Sequence, residues 1–360
     1  MQLVQYLNDN GDPAVGRIKA SDRAAQSSSS PLVLSGLTRW VFLAMLGFAL
    51  GACSQSSRPK IGFLVKMPEQ GWFINEQNAA SRVGQEMGFD VINLGVQDGE
   101  KMLSAIDNLA AQGAQGFVIC PPDVRLGPAI VARAQALNLK FVTVDDQLQG
   151  PDGKIIEAVP HLGMSSVKIG EQVGATLAEE MQHRGWNPAQ TAALRISDNE
   201  LPTARARTDG ASRALLKAGF DASRIYDSAQ RTTDTDGGFN AATPVLSKHP
   251  EVSHWLIFAI NDETVLGAVR ATEQLRIPAE NVIGVGINGA AEAYAEFSKN
   301  TPTGFYGSMA VSSTMHGRQS AINLYKWIRG GEKPPGNTET GGTLMTRSNW
   351  RQVKTQLGLD

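Results

Sequence analysis

The sequence predicts an α/β fold made of two Rossmann-like lobes, each built on a parallel sheet, joined by a multi-strand hinge. Three observations predict it. From Lys60 onward, apolar runs of strand length alternate with amphipathic helical windows. The runs are apolar throughout rather than alternating, as in a parallel sheet covered on both faces. The rhythm pauses near Pro160–Ser165 and then restarts, so two βα arrays stand in tandem.

Composition narrows the function classes. The chain has 360 residues, 42% of them hydrophobic and 19% charged, with a formal net charge of −2. This is globular composition with room for about two or three domains. A near-neutral chain with no clustered basic face is not built to hold nucleic acid. The two cysteines, Cys53 and Cys120, are expected to have different fates, so no disulfide framework is expected.

Residues 1–38 show no sustained period and read as a disordered extension or as an over-long start of the gene. Arg39 then precedes an apolar run over 40–50. A bilayer span needs about 20 such residues, so the run suits the core of an export signal instead. It ends in Leu50-Gly51-Ala52-Cys53, which looks like a lipobox: a branched apolar residue, two small ones, then the cysteine to be lipidated. Residues up to 57 would form the start of a polar tether. The alternative is cleavage at a small-residue site beside an incidental cysteine. Either way the chain is expected to be exported.

The elements follow in order. A strand over 61–65 ends at Lys66, and a turn containing Pro68 and Gly71 leads past Gln70 to Trp72 and Phe73, which open a helix over 73–87. Gly88 suits the left-handed position after it. A strand over 89–94 follows, and Asp98 is placed to cap a helix over 101–111 with Met102, Leu103, Ile106, Leu109 and Ala110 on one face. A strand over 116–120 stops at Pro121-Pro122; a helix over 127–137 and a strand over 140–145 complete the first array. The second array has helices over 166–181, 203–218, 239–247 and 263–273, and strands over 192–196, 224–227, 255–260 and 282–286. The tail adds a strand over 303–309, a helix over 314–329 and a strand near 343–347. If the tail returns to the first array, the chain crosses between lobes more than once, which permits closure around a ligand.

In an open parallel sheet, ligands bind beyond the carboxyl ends of the strands. The residues found there are Lys66, Gln70 and Trp72; Cys120 and Asp123; Asp145, Asp146 and Gln147; Ser197 to Glu200 with Thr203 and Arg207; Asn261 and Asp262; and Asn288. Carboxylates, amides and a guanidinium can each bond two adjacent hydroxyls, as sugar diols require. Helix capping is the competing role for Asp146, Asn261 and Asn288. The segment Gly284-Val285-Gly286-Ile287-Asn288-Gly289 fits a dinucleotide fingerprint but lacks the acidic partner expected about 20 residues on. The five histidines show no metal spacing, and no nucleophile stands with a base, so no catalysis, metal or cofactor is expected.

The segments Gly62-Phe63-Leu64-Val65-Lys66, Trp72-Phe73, Val144-Asp145-Asp146-Gln147, Thr203-Ala204-Arg205, Asn261-Asp262 and Gly286-Ile287-Asn288-Gly289 carry a resemblance. From about Lys60 to its end, the chain resembles the periplasmic sugar-binding proteins of the type I fold. The resemblance implies capture of a monosaccharide (L-arabinose, with D-galactose and D-fucose as relatives) by a monomer that serves an ABC permease in the inner membrane. A sugar-sensing module that presents its closed form to a chemoreceptor or sensor kinase is the alternative. Lys66, Asp145 and Asp146 would bind hydroxyls from the first lobe, and Trp72 and Phe73 would offer apolar ring surface. Arg207, Asn261 and Asn288 would bind from the second lobe, with Thr203 orienting its neighbours and Met164 bounding the pocket. Cys120 would be a buried thiol nearby. Location would be the periplasm, with a lipid anchor at Cys53. The lobes would comprise 58–164 plus about 311–339, and 165–310 plus about 340–360. Gln70 stands where the family's arabinose binders carry glutamate, and Ile260 where they carry methionine. These departures bear on which aldose is preferred.

Overall fold

The structure is a computed structural model that describes residues 58–359 and two short segments, 5–7 and 13–15. The short segments pair antiparallel and belong to a unit separate from 57–360. The expectations for the rest of 1–57, including the export signal and lipidation of Cys53, lie outside the described residues.

The main unit holds two six-stranded sheets. The first comprises β1 (Lys60–Val65), β2 (Asp90–Gly95), β3 (Ala114–Ile119), β4 (Lys140–Val144), β5 (His161–Met164) and, from far along the chain, β11 (Asn337–Thr340). Its order is β11-β5-β4-β3-β1-β2, all parallel. The second comprises β6 (Thr191–Ser197), β7 (Ile225–Ala229), β8 (His254–Phe258), β9 (Val282–Asn288), β10 (Phe305–Ala310) and β12 (Thr343–Thr346). Its order is β12-β10-β9-β8-β6-β7, parallel except for the antiparallel edge strand β12. Both sheets are doubly wound, and each reverses direction beside its first strand, where such sheets place ligands.

The helices are α1 (Gly71–Met87), α2 (Gly99–Ala111), α3 (Gly127–Ala136), α4 (Ser166–His183), α5 (Pro202–Lys217), α6 (Thr235–Lys248), α7 (Asp262–Gln274), α8 (Ala291–Phe297), α9 (Ser313–Gly330) and α10 (Trp350–Leu357). Central strands are buried along almost their whole length, whereas the edge strands β2 and β7 alternate. That is the burial pattern of a sheet sandwiched between helix layers. Asp98 caps α2 by accepting from the amides of Glu100 and Lys101, and Gly88 closes α1 at φ +82°.

The chain passes between the sheets three times, at 164–166, 310–313 and 340–343. Helix α9 follows a strand of the second sheet yet packs on α1 of the first, so closely that a side chain at Gly317 would strike the Glu76 backbone.

Some elements escaped the sequence reading. Helix α6 begins at Thr235, earlier than 239, because Asp234 caps it through the Gly237 amide. The Gly237-Gly238 pair reads as loop, but Gly238 is small to admit the Thr264 backbone of α7. Strands β5 and β11 and helices α8 and α10 are four to eight residues long. Elements that short leave little periodicity to read.

Candidate functional site

The strand ends of the two sheets meet in one polar cleft. After β1, Lys66 extends its ammonium to Asp146, with Nζ 2.6 Å from Oδ2 and side chains only 13% and 3% exposed. The other oxygen of Asp146 accepts from Thr203 Oγ1, on α5 after β6, at 2.5 Å. A residue of the second lobe therefore completes the shell of a first-lobe carboxylate. Cys120 Sγ, after β3, lies 3.5 Å from the same carboxylate.

Burial opposes both charges of this pair, and each answers for the other. Burial pulls the Lys66 ammonium down, but Asp146 together with the neighbouring Cys120 and Asp145 outweighs that, so the net shift is upward. Burial raises Asp146, and Lys66, Thr203 and Arg207 carry it below the usual carboxylate range. Cys120 is pushed well up by burial despite the Lys66 charge, so it is a buried free thiol and not a thiolate.

Asp145, beside Asp146, faces the protein rather than the cleft. Its Oδ2 accepts from Trp72 Nε1 at 2.8 Å and its Oδ1 lies 2.9 Å from His316 Nδ1. The His316 Nε2 lies 2.8 Å from Thr340 Oγ1, and the indole of Trp72 meets the imidazole edge-on at 5.5 Å. Asp145 adopts φ +61°, a conformation that aspartate tolerates better than most residues. This puts the two adjacent carboxylates to different uses.

Trp72 is half-buried and packs against the cores of both lobes, touching the cluster that contains Met164 as well as that of the first sheet. Phe73 is only 5% exposed and sits inside the first-lobe core. Of the two aromatics, Trp72 is the one that reaches the second lobe.

From the second lobe, Arg207 donates through Nη1 to the Ile260 carbonyl at 2.9 Å, while its buried Nε has no partner among the described residues. Burial lowers Arg207, and Asp146 and Asp145 oppose that. Asn288 ends β9 at φ +111°, and its buried Oδ1 likewise has no partner among the described residues. Its backbone is fixed from behind, because the buried Asp262 carboxylate accepts from the Ala290 amide at 2.8 Å and Gly286 leaves room for it. Asn288 caps no helix among the described residues, whereas Asn261 does: its Oδ1 accepts from the Thr264 amide and its Nδ2 donates to the Thr233 carbonyl. Gln70 reaches across the cleft to Thr233 Oγ1 at 3.1 Å.

Sequence reasoning missed His316, Thr233 and Glu76. His316 follows no spacing, because 171 residues separate it from Asp145. Glu76 was legible: it interrupts the buried stripe Phe73, Ala80 and Val83 of α1. Glu76, Asp145 and His316 bring donor atoms within 4.8 Å of one another. Burial and the Asp145 charge push Glu76 far above the usual carboxylate range, and Asp145 and His316 engage each other. Only Asp145 and His316 are bonded to each other; both Glu76 oxygens are buried without a hydrogen-bond partner among the described residues.

Residues 58–352 match the family of periplasmic binding proteins and sugar binding domains of the LacI family. The chain belongs to this family. It is 61% identical over 326 residues to the ABC transporter L-arabinose-binding periplasmic protein of Azospirillum brasilense, covering 91% of this chain and 97% of that one. It is 47% identical over 320 residues to the L-arabinose-binding periplasmic protein of Escherichia coli K12, covering 88% and 97%. Among solved structures, an ABC transporter periplasmic solute binding protein from Actinobacillus succinogenes with bound D-allose aligns with a TM-score of 0.71 at 19% identity, over 82% of this chain and all of that chain. At that identity the structural likeness speaks for the fold alone. The family is one of solute-binding proteins, not of enzymes.

Proposed function

We propose that this protein is a periplasmic solute-binding protein that captures L-arabinose or a related aldose between its lobes and delivers it to an ABC permease. The observation that carries the reading is the polar inventory of the cleft. Lys66 and Asp146 come from one lobe, and Thr203, Arg207 and Asn288 from the other, with Arg207 Nε and Asn288 Oδ1 buried and unpartnered among the described residues. Buried polar atoms of native proteins are normally bonded, and sugar hydroxyls supply both donors and acceptors. The names of the two relatives support arabinose as the sugar.

In this reading Lys66, Asp146, Arg207 and Asn288 bond the sugar directly, and Trp72 covers its apolar face. Asp145 orients Trp72, and Thr203 fixes Asp146. The segments 164–166, 310–313 and 340–343 form the hinge. Lipidation of Cys53 would hold the protein at a membrane surface; loss of membrane fractionation in Cys53→Ser tests that, and a wild type already soluble after export refutes it. Titration calorimetry with L-arabinose, D-galactose and D-fucose tests the function. Binding should occur and fall at least tenfold in Asn288→Ala, the effect of about 1.4 kcal/mol. No heat with any aldose, or equal affinity in the variant, overturns the reading.

A further inference from the structure

Gln70 brings an uncharged amide to the junction of the two lobes, where it bonds Thr233. An amide has two unlike ends, and a ligand meets whichever end faces it. What determines the end is a residue of the opposite lobe. We propose that Thr233 sets which end of Gln70 the sugar meets, and so acts as a specificity-determining residue of the site; this rests on the sugar-binding reading above.

The argument starts from the loop between β7 and α6. Asn261 donates to the Thr233 carbonyl at 2.8 Å. Gln230 accepts from Thr264 Oγ1 at 2.9 Å, and Asp234 caps α6 while also accepting from Thr232. Gly237 packs against the Thr232 backbone, where a side chain could not fit. The loop is thus clamped to its own lobe on both sides of Thr233, and it holds that hydroxyl out to the first lobe.

Two first-lobe groups receive it. Thr233 Oγ1 lies 3.1 Å from Gln70 Nε2 and 3.9 Å from Met67 Sδ. A thioether sulfur only accepts, and a hydroxyl has a single proton. With that proton on Met67, the Thr233 oxygen is left to accept, and it takes the amide N–H of Gln70. Gln70 Oε1 then remains for a ligand hydroxyl. Gln70 stands four residues after Lys66 and two before Trp72 and touches the opposite lobe, which places it at the cleft. The amide therefore offers an acceptor, as a carboxylate would, without the charge. The Gln70–Thr233 bond joins the two lobes.

The test uses two substitutions of Thr233 in the full protein, with affinities for L-arabinose, D-galactose and D-xylose read by calorimetry. Thr233→Val keeps the shape and removes the hydroxyl. It should weaken L-arabinose binding about five- to tenfold, the worth of one hydrogen bond, and should narrow the ratio between sugars, because Gln70 can turn either end inward. Thr233→Ser should restore both affinity and ratio. In Gln70→Glu, whose two oxygens are alike, the Val substitution should leave the sugar ratio unmoved. Valine and serine variants that behave alike, or a valine variant that keeps the wild-type ratio, would overturn the assignment of Thr233. A wild type that binds no aldose defeats the functional reading instead.

Discussion

Replacing Lys66 with methionine is the sharpest probe of how this cleft holds together. The substitution keeps the length of the side chain and deletes its charge, leaving Asp146 3% exposed without its nearest cation. Breaking a buried pair from one side costs about 3–5 kcal/mol. The loss has a ceiling, because Asp146 can take up a proton. Protonating a carboxylate of ordinary pKa near 3.9 costs about 4 kcal/mol at pH 7 and about 1.5 kcal/mol at pH 5. Arg207 and Thr203 remain beside Asp146 and relieve part of this. We therefore expect Lys66→Met to lose about 3 kcal/mol at pH 7 and about 1 kcal/mol at pH 5. Urea unfolding of the ligand-free protein at the two pH values measures both. The double variant Lys66→Met with Asp146→Asn removes the stranded charge and should recover most of the loss at pH 7. A loss that does not change with pH, or a double variant less stable than Lys66→Met alone, would refute the account.

Three further outcomes follow from buried groups. Glu76 is raised by burial and Asp145, so the folded state keeps a proton that the unfolded chain releases above about pH 4.5. Its favourable linkage is complete below that pH and fades as pH rises toward the folded value. Glu76→Gln should accordingly gain stability on the wild type between about pH 5 and 8, and parallel stability curves would contradict this. Burial lowers His161 to about 4, so its contribution is present above about pH 6.5 and is lost as pH falls toward the folded value. His161→Gln should flatten that acid limb of the unfolding profile, by up to on the order of 3 kcal/mol. Cys120 should resist alkylation in the native protein and react on unfolding, with added L-arabinose slowing modification further; rapid native labelling would show that it is not sealed.

The fold was legible because its signals are redundant. Strands such as Ile61–Val65 and Trp255–Phe258 are apolar without interruption, and the helices between them have a clear apolar face. Short elements such as β11 and α8 depend on tertiary partners and carry no such signal. Proximity was legible where topology alone locates side chains, at strand ends: Lys66, Asp146, Thr203 and Arg207 do come together. What each residue does there was harder to read. Asp145 and Asp146 are neighbours of one type, yet the φ of +61° at Asp145 turns one toward Trp72 and His316 and leaves the other with Lys66. Phe73 and Trp72 are likewise adjacent on α1, and helical geometry sends one into the core. His316 and Thr233 matter through partners more than 160 residues away in the chain, which no local pattern encodes.

The three passages between sheets also govern the order in which the molecule can be made. Strand β11 and helix α9, which complete the first lobe, come from residues 313–340, after every parallel strand of the second. A growing chain that has emerged to residue 300 has an α1 whose inner face lacks its covering helix, and a first sheet missing its edge strand. Contacts this distant in sequence slow folding. The core of the first lobe thus cannot be completed until residues 313–340 have joined it. By the same logic neither lobe can be obtained by a single truncation: isolating the first requires splicing 58–164 to 313–340.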